Sequence, residues 1–328
     1  MYRIFSCESG KFVILLRLFT PFTVYCMTIP HHKQWALFAG PLLAILLAIA
    51  MHLSGWQQQA CWTGAISILC VIWWIFEPIP IPATALVPLT VLPLVGVLSQ
   101  EKIALAFGNE LILLMLGGFL ISAAMERSGA HHRIALGMIR LIGGDSSRRI
   151  VFGFIIASAM LSMWISNTAT ALMMLPIALA VIHQSPDKKL AIPLLLSIAY
   201  GSSIGGLGTP IGTPPNLVFM QQYEKFTDHS VSFVQWMSWG LPVVFVFIPI
   251  TALWLTRHLD YHGKLTMPPV GNWRSEERRV LIIFGLTAVA WMTRLEPFGG
   301  WSHWLDLKNA NDAIVALIAV IILFLVPN

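Results

Sequence analysis

Charge vanishes from this chain over two windows of equal length, 150–183 and 190–223, each 34 residues long. Polar or helix-breaking residues interrupt each apolar run at its middle. The first is broken by Ser166-Asn167-Thr168. The second is broken by Gly205-Gly206-Leu207-Gly208-Thr209-Pro210-Ile211-Gly212-Thr213-Pro214-Pro215-Asn216. A membrane span needs about 20 apolar residues, so the first window is too long for one crossing while its halves are too short. Irregular backbone at membrane depth persists only where it lines a cavity or a site. The pattern predicts a re-entrant hairpin over 148–187 with its tip at Ser166-Asn167-Thr168, and a broken helix over 189–226.

Uncharged stretches at 35–53, 60–76 and 82–98 predict three further spans, the last distorted by Pro82, Pro88 and Pro93. A fourth covers about 107–125, with Glu110 near one end, where it reads as an interfacial residue or, in the alternative, as a proton site. The segment 131–144 is shorter and carries Arg133 and Arg140, which suits a helix lying in the membrane interface. Spans follow at 236–256, 280–293 and 313–327, the last two short. The expected architecture is all-α and polytopic.

Composition agrees. The chain is 57% hydrophobic and 11% charged, against about 25% charged in soluble proteins. The net charge of +5 is not a nucleic-acid signal, because the basic residues sit in loops, where they set membrane orientation. With 150–183 as a hairpin, three basic groups share one face with the N-terminus. They are Arg127, Arg133, Arg140, Arg148 and Arg149; Lys188 and Lys189; and Arg257, Lys264, Arg274, Arg278 and Arg279. Lys102, Lys225, Arg294 and Lys308 fall on or near the other face. An integral plasma (inner) membrane protein with a cytoplasmic N-terminus is expected. Residues 1–34 read as a separate N-terminal segment, with Met27 an alternative start to Met1. Cys7, Cys26, Cys61 and Cys70 have no metal-ligand spacing and read as apolar filler. His31-His32 and His131-His132 read as solvated loop residues. The chain lacks HExxH, Walker A and GxSxG motifs, so an enzyme and an organic cofactor are not expected.

The two interruptions carry the chemistry. At a hairpin tip two helix ends meet, and free backbone groups converge. Helix N-termini favour an anion, while carbonyl ends and the Asn167 oxygen can face a cation. Ser166 and Thr168 offer hydroxyls, and Ser162 lies one turn earlier. In the second window the glycines allow close approach and the prolines free carbonyls. Thr209, Thr213 and Asn216 add side-chain oxygens. Paired broken helices near the midplane are how many secondary transporters hold substrate and coupling ion. The expected activity is movement of a small anion across a membrane.

Ser166-Asn167-Thr168, Gly212-Thr213-Pro214-Pro215-Asn216 and the stretch Glu77-Pro78-Ile79-Pro80-Ile81-Pro82 with Thr84-Ala85-Leu86 together resemble the divalent anion/sodium symporter family, from about residue 35 onward. That family carries dicarboxylates, citrate or sulfate. The resemblance implies an inverted-repeat elevator transporter, a homodimer when full length, with sodium as the coupling ion. It implies a sodium site of Ser162, Ser166, Asn167 and the Gly212 carbonyl. Asn167 and Thr168, with Thr213 and Pro214, would contact the substrate. By the same resemblance 35–126 supplies scaffold-type helices, 127–147 an interfacial arm, 148–235 the transport-type region, and 236–328 the start of a second repeat. Trp291-Met292-Thr293-Arg294-Leu295-Glu296-Pro297 echoes Trp74-Ile75-Phe76-Glu77-Pro78, so a second Ser-Asn-Thr tip would fall beyond Asn328. The second repeat is expected to be incomplete and the chain truncated. An inactive fragment, half of a split transporter, and a proton-coupled transporter or exchanger of the same fold stand as alternatives.

Overall fold

A computed structural model describes residues 4–7, 11–14, 31–142, 146–261, 271–295, 299–307 and 309–326. The expectations resting on Cys26, Met27, Lys264, Glu296-Pro297, Lys308 and Asn328 lie outside these residues. The chain divides into two compact units between Phe107 and Gly108. Apart from one short strand pair, the regular structure of the described residues is helical. Among the described residues, five helices are long and apolar enough to cross a membrane.

In the first unit β1 (Ile4–Cys7) pairs antiparallel with β2 (Lys11–Ile14), a hairpin the hydrophobic pattern did not announce. Helices α1 (His31–Leu53) and α2 (Gln58–Phe76) pack on each other. The Trp73 indole nitrogen donates to the Ala36 carbonyl at 3.2 Å. Helix α3 (Ile81–Leu94) starts with Pro82 in its first turn and keeps Pro88 and Pro93 inside it. Proline is tolerated at a helix start because the missing N–H has no intrahelical partner there. A short helix, α4 (Gln100–Phe107), closes this unit. Cys61 and Cys70 are buried free thiols, in keeping with their reading as filler.

The second unit opens with α5 (Glu110–Ser128), capped by the Asn109 side chain, which accepts from the Leu111 N–H at 2.9 Å. Helix α6 (Ala130–Ile142) is the strongly amphipathic segment expected in the interface. His131 and His132 lie on it, not in a loop. His131 is buried, with Nδ1 3.0 Å from the Met125 carbonyl. His31 and His32 are likewise helical, within α1. The polar pair drew the loop reading, but the apolar period of α6 runs through it.

Helices α7 (Ser147–Ser162) and α8 (Asn167–Gln184) are joined by four residues. At the far end the Ser147 hydroxyl donates to Asp187 at 2.6 Å, so the segment returns to where it started. Helix α9 (Ala191–Gly205) then runs alongside α7 in the same direction, Gly201 facing Ile155 and Ser158 and Gly205 facing Ala159. The contact is so close that a Cβ on Gly205 would collide with the Ala159 backbone. Residues 206–213 break the path, and α10 (Pro214–Thr227) continues it. Helix α11 (Phe233–Thr256) returns, with Val244, Ile248 and Ala252 against Ile155 and Ala159. Its end meets the feet of the hairpin: Arg148 donates to the Leu259 carbonyl at 2.5 Å and to Asp260 at 2.8 Å. Members of the three basic groups therefore gather at one end of the bundle.

Helix α12 (Ser275–Met292) starts before its apolar stretch because Glu277 accepts from the Arg274 backbone N–H at 3.1 Å. Helices α13 (Gly300–Trp304) and α14 (Asp312–Leu325) follow. Helix α14 packs on α5, Gly117 meeting Ala316. Glu110 is exposed at the start of α5 and accepts from Asn311 at 2.9 Å.

Candidate functional site

The turn between α7 and α8 spans Met163 to Ser166, so the break falls slightly earlier than the tripeptide. Ser166 is the N-cap of α8, its hydroxyl accepting from the Ala169 N–H at 3.2 Å. Asn167 and Thr168 already belong to the first helical turn. Ser162, fully buried at the end of α7, donates its hydroxyl to the Asn167 side-chain oxygen at 2.5 Å. Two side-chain oxygens are thereby held together across the turn.

The second break lies against the first. A Cβ on Gly206 would stand 2.7 Å from the Asn167 oxygen, and one on Gly212 would stand 2.5 Å from the Gly206 carbonyl oxygen. Glycine is needed at both places for backbone to come this near. The structure brings Ser162, Asn167, Gly206 and Gly212 into one locus. Ser166 joins it as the cap of α8. Thr168 is exposed beside it, Thr213 is half-buried at the N-cap of α10, and Pro214 is exposed on the first turn of α10.

Two residues read as oxygen ligands have another role. Asn216 donates its amide to the carbonyls of Gly206 and Thr209, each at 2.8 Å. The Thr209 hydroxyl donates to the Met163 carbonyl in the hairpin turn. Both tie the broken segment together and bind it to the hairpin. A glycine- and proline-rich backbone leaves carbonyls unpaired, and buried carbonyls need donors. Ser158 and Thr170 lie one turn to either side of the turn, and their buried hydroxyls have no hydrogen-bond partner.

Four helix ends converge here. The C-termini of α7 and α9 bring unpaired carbonyls and partial negative charge, the N-termini of α8 and α10 partial positive charge. Their donors are unequal. Helix α8 offers first-turn N–H groups, whereas Pro214 and Pro215 deprive α10 of its first two. Pro214 can shape the site but cannot donate to an anion. The oxygens of Ser162, Ser166 and Asn167 and the neighbouring carbonyls are neutral and hard, a donor set suited to an alkali cation.

Sequence reasoning missed Trp164, in the turn itself. Its ring stacks beside Phe233 and Trp291, with centroids 6.0 and 6.4 Å away, and meets Phe284 edge-on at 5.1 Å. An aromatic between two serines of the motif was the available signal.

Away from the turn, Arg133 of α6 donates to Glu277 at 2.8 Å and to the Gly271 and Asn272 carbonyls at 2.8 and 2.6 Å. The hydrogen bond from Arg133 holds the Glu277 carboxyl below its ordinary range, against the opposing effect of burial. These groups line a cavity of about 530 Å³ and secure the amphipathic helix to α12.

Comparison with known proteins supplies the family. The chain is 37% identical over 314 residues to the sodium-dependent dicarboxylate transporter SdcS of Staphylococcus aureus strain NCTC 8325 / PS 47. The same holds for SdcS of strain COL. In each case the match covers 89% of this chain and 59% of the relative, so the chain spans well under two thirds of the length of these relatives. The chain is an integral membrane protein. The family described as citrate transporter matches residues 71–327, most of the sequence, and the chain belongs to that family.

Proposed function

We propose that the protein to which this chain corresponds takes up divalent organic anions, di- or tricarboxylates, or sulfate, coupled to sodium entry. The observation that carries this is the meeting of four helix ends at an uncharged locus, two carbonyl ends and two N–H ends side by side. Sodium would sit among the oxygens of Ser162, Ser166 and Asn167 and the Gly212 carbonyl. The anion would lie against the N-terminus of α8, touching Asn167 and Thr168, with Thr213 and Pro214 closing the other side. Asn167 belongs to both sets. A bound cation there would offset the repulsion between a dianion and the carbonyl ends, which is a physical reason for coupling.

The relatives named as sodium-dependent dicarboxylate transporters support this reading. So does the chemistry of the turn: Ser162, Ser166, Asn167, Gly206 and Gly212 do not titrate near neutral pH, so a proton has no acceptor among them. We further infer an elevator movement of hairpin and broken helix in a homodimer, with α6 as the interfacial arm. The basic end of the bundle would face the cytoplasm.

The test is uptake of radiolabelled succinate, citrate and sulfate into proteoliposomes under an inward sodium gradient, with choline as control. Melting of the purified chain is measured in both salts. Sodium should raise the melting temperature and drive uptake, and Asn167→Ala should remove both effects. Equal behaviour in sodium and choline, with Asn167→Ala indistinguishable from the parent, would sink the reading.

A further inference from the structure

The turn that holds Ser162 and Asn167 together is four residues long and lies between the ends of two helices. Backbone bonds tie Trp164 and Ile165 to the Leu161 carbonyl at 3.0 and 2.9 Å. Those bonds close the last turn of α7 but do not set where the turn points. Side-chain contacts hold it there: Thr209 donates to the Met163 carbonyl, and the Trp164 ring meets three other rings. The Trp164 ring lies nearly parallel to those of Phe233 and Trp291, at 17° and 8°, while Phe284 meets it at 85°. Phe233 and Trp291 stack on each other at 5.0 Å and are both almost fully buried.

This aromatic wall is anchored. The Trp291 indole nitrogen donates to the Asp312 carbonyl at 2.9 Å. The Asp312 carboxylate receives Arg294 at 2.6 and 3.3 Å, and Arg294 also donates to the Ala310 carbonyl at 3.0 Å. Phe233 opens α11, whose first turn is capped by the Ser232 hydroxyl accepting from the Gln235 N–H at 3.1 Å. The wall therefore belongs to α11, α12 and the start of α14. Trp164 is the hairpin's hold on it.

We propose that Trp164 is a positioning residue for the cation site: stacked on Phe233 and Trp291, it fixes the turn so that the Ser162 and Asn167 oxygens stay convergent. The proposal rests on reading this turn as the sodium site. Trp164 touches no ion and acts only through the backbone between Ser162 and Ser166. Residues that orient metal ligands influence affinity without bonding to the metal. Loss of the ring would leave the ligands present but poorly aligned. The expected signature is weaker sodium binding and poorer discrimination of sodium from lithium, since selectivity depends on how firmly the oxygens are held.

The experiment measures binding of radiolabelled sodium to the purified chain in detergent, with choline as background and lithium as competitor. Melting in choline checks that each variant is folded. Trp164→Leu should raise the sodium dissociation constant about tenfold or more and reduce the preference over lithium. Trp164→Phe, which keeps a ring, should recover most of the affinity. Phe284→Leu lies outside the turn and removes the edge-on contact to Trp164, so it should weaken sodium binding in the same direction by a smaller factor. It replaces Trp164→Leu as the deciding variant should the latter not fold. A folded Trp164→Leu that binds sodium with parental affinity and selectivity overturns the proposal, as does an unchanged Phe284→Leu where that variant decides. A parent chain that binds no sodium sinks the cation reading and this proposal with it, an outcome distinct from a parent that binds and a variant that binds equally well.

Discussion

The Ser147 hydroxyl and the Asp187 carboxylate meet at 2.6 Å, joining the first residue of α7 to the segment that follows α8. That one contact makes the window from 150 to 183 a hairpin with both feet at one end. Helix α7 has 16 residues, about 24 Å at 1.5 Å per residue, short of the ~30 Å of a hydrocarbon core. Such a hairpin brings four helix ends to one place at its tip. Asp187 also accepts from the Lys189 N–H at 3.0 Å through its other oxygen. Asp187→Ala should cost about 1–2 kcal/mol and open the feet. Hydrogen exchange should quicken at the end of α8 and the start of α7, with α5 and α14 unchanged. Unaltered exchange at the feet would count against their being held this way.

Asn167 separates the two halves of the coupling argument. Asn167→Asp keeps the shape and an oxygen but adds a negative charge. The charge favours a cation and repels a dianion at short range. Sodium binding should persist or tighten, while succinate binding should weaken by more than about tenfold. Calorimetry with each ligand checks this, and a variant that binds succinate like the parent argues against Asn167 as an anion contact.

The glycines of the α7–α9 seam are there for space. At Gly205 an added Cβ meets the Ala159 backbone, which cannot rotate away as a side chain would. Gly205→Ala should destabilise by about 1–3 kcal/mol and loosen the approach of Gly206 to Asn167. Gly137 on α6 is exposed, with open space where its Cβ would stand. Gly137→Ala should be neutral or stabilise by about 0.5–1 kcal/mol through helix propensity. Thermal melts of the pair in one detergent decide the matter. Equal shifts would mean that packing at the seam is not the constraint.

Glu277 gives the structure an acid-sensitive joint. Its carboxyl is held below the ordinary value of 4.5 by Arg133, so the folded state binds the proton less readily than the unfolded chain. The stabilisation is fully present above pH 4.5. It is lost as the pH falls through the lowered folded value. Glu277→Gln should lower the melting temperature at pH 7 by roughly 5 °C and flatten its dependence on acid. A variant whose melting curve still parallels the parent below pH 4.5 would show that Glu277 is not the responsive group.

Local chemistry wrote much of this fold into the sequence. Apolar run lengths marked where helices would form, and amphipathic spacing marked α6. Proline, glycine and Ser-Asn-Thr marked the breaks, because each acts on the backbone within a residue or two of itself. The grouping of Ser162, Ser166, Asn167 and Gly212 came from the family resemblance, and the structure brings Ser162, Asn167 and Gly212 close through Gly206. What only the tertiary structure decided depends on which helix faces meet. Hydropathy could not tell that Ser147 reaches Asp187, that Asn216 and Thr209 donate to carbonyls, or that His131 is buried. It could not tell that Trp164 stacks on rings from α11 and α12. Those outcomes follow from burial and partner choice between segments far apart in the chain. A side chain's hydrogen-bonding role is settled only when its neighbours are in place.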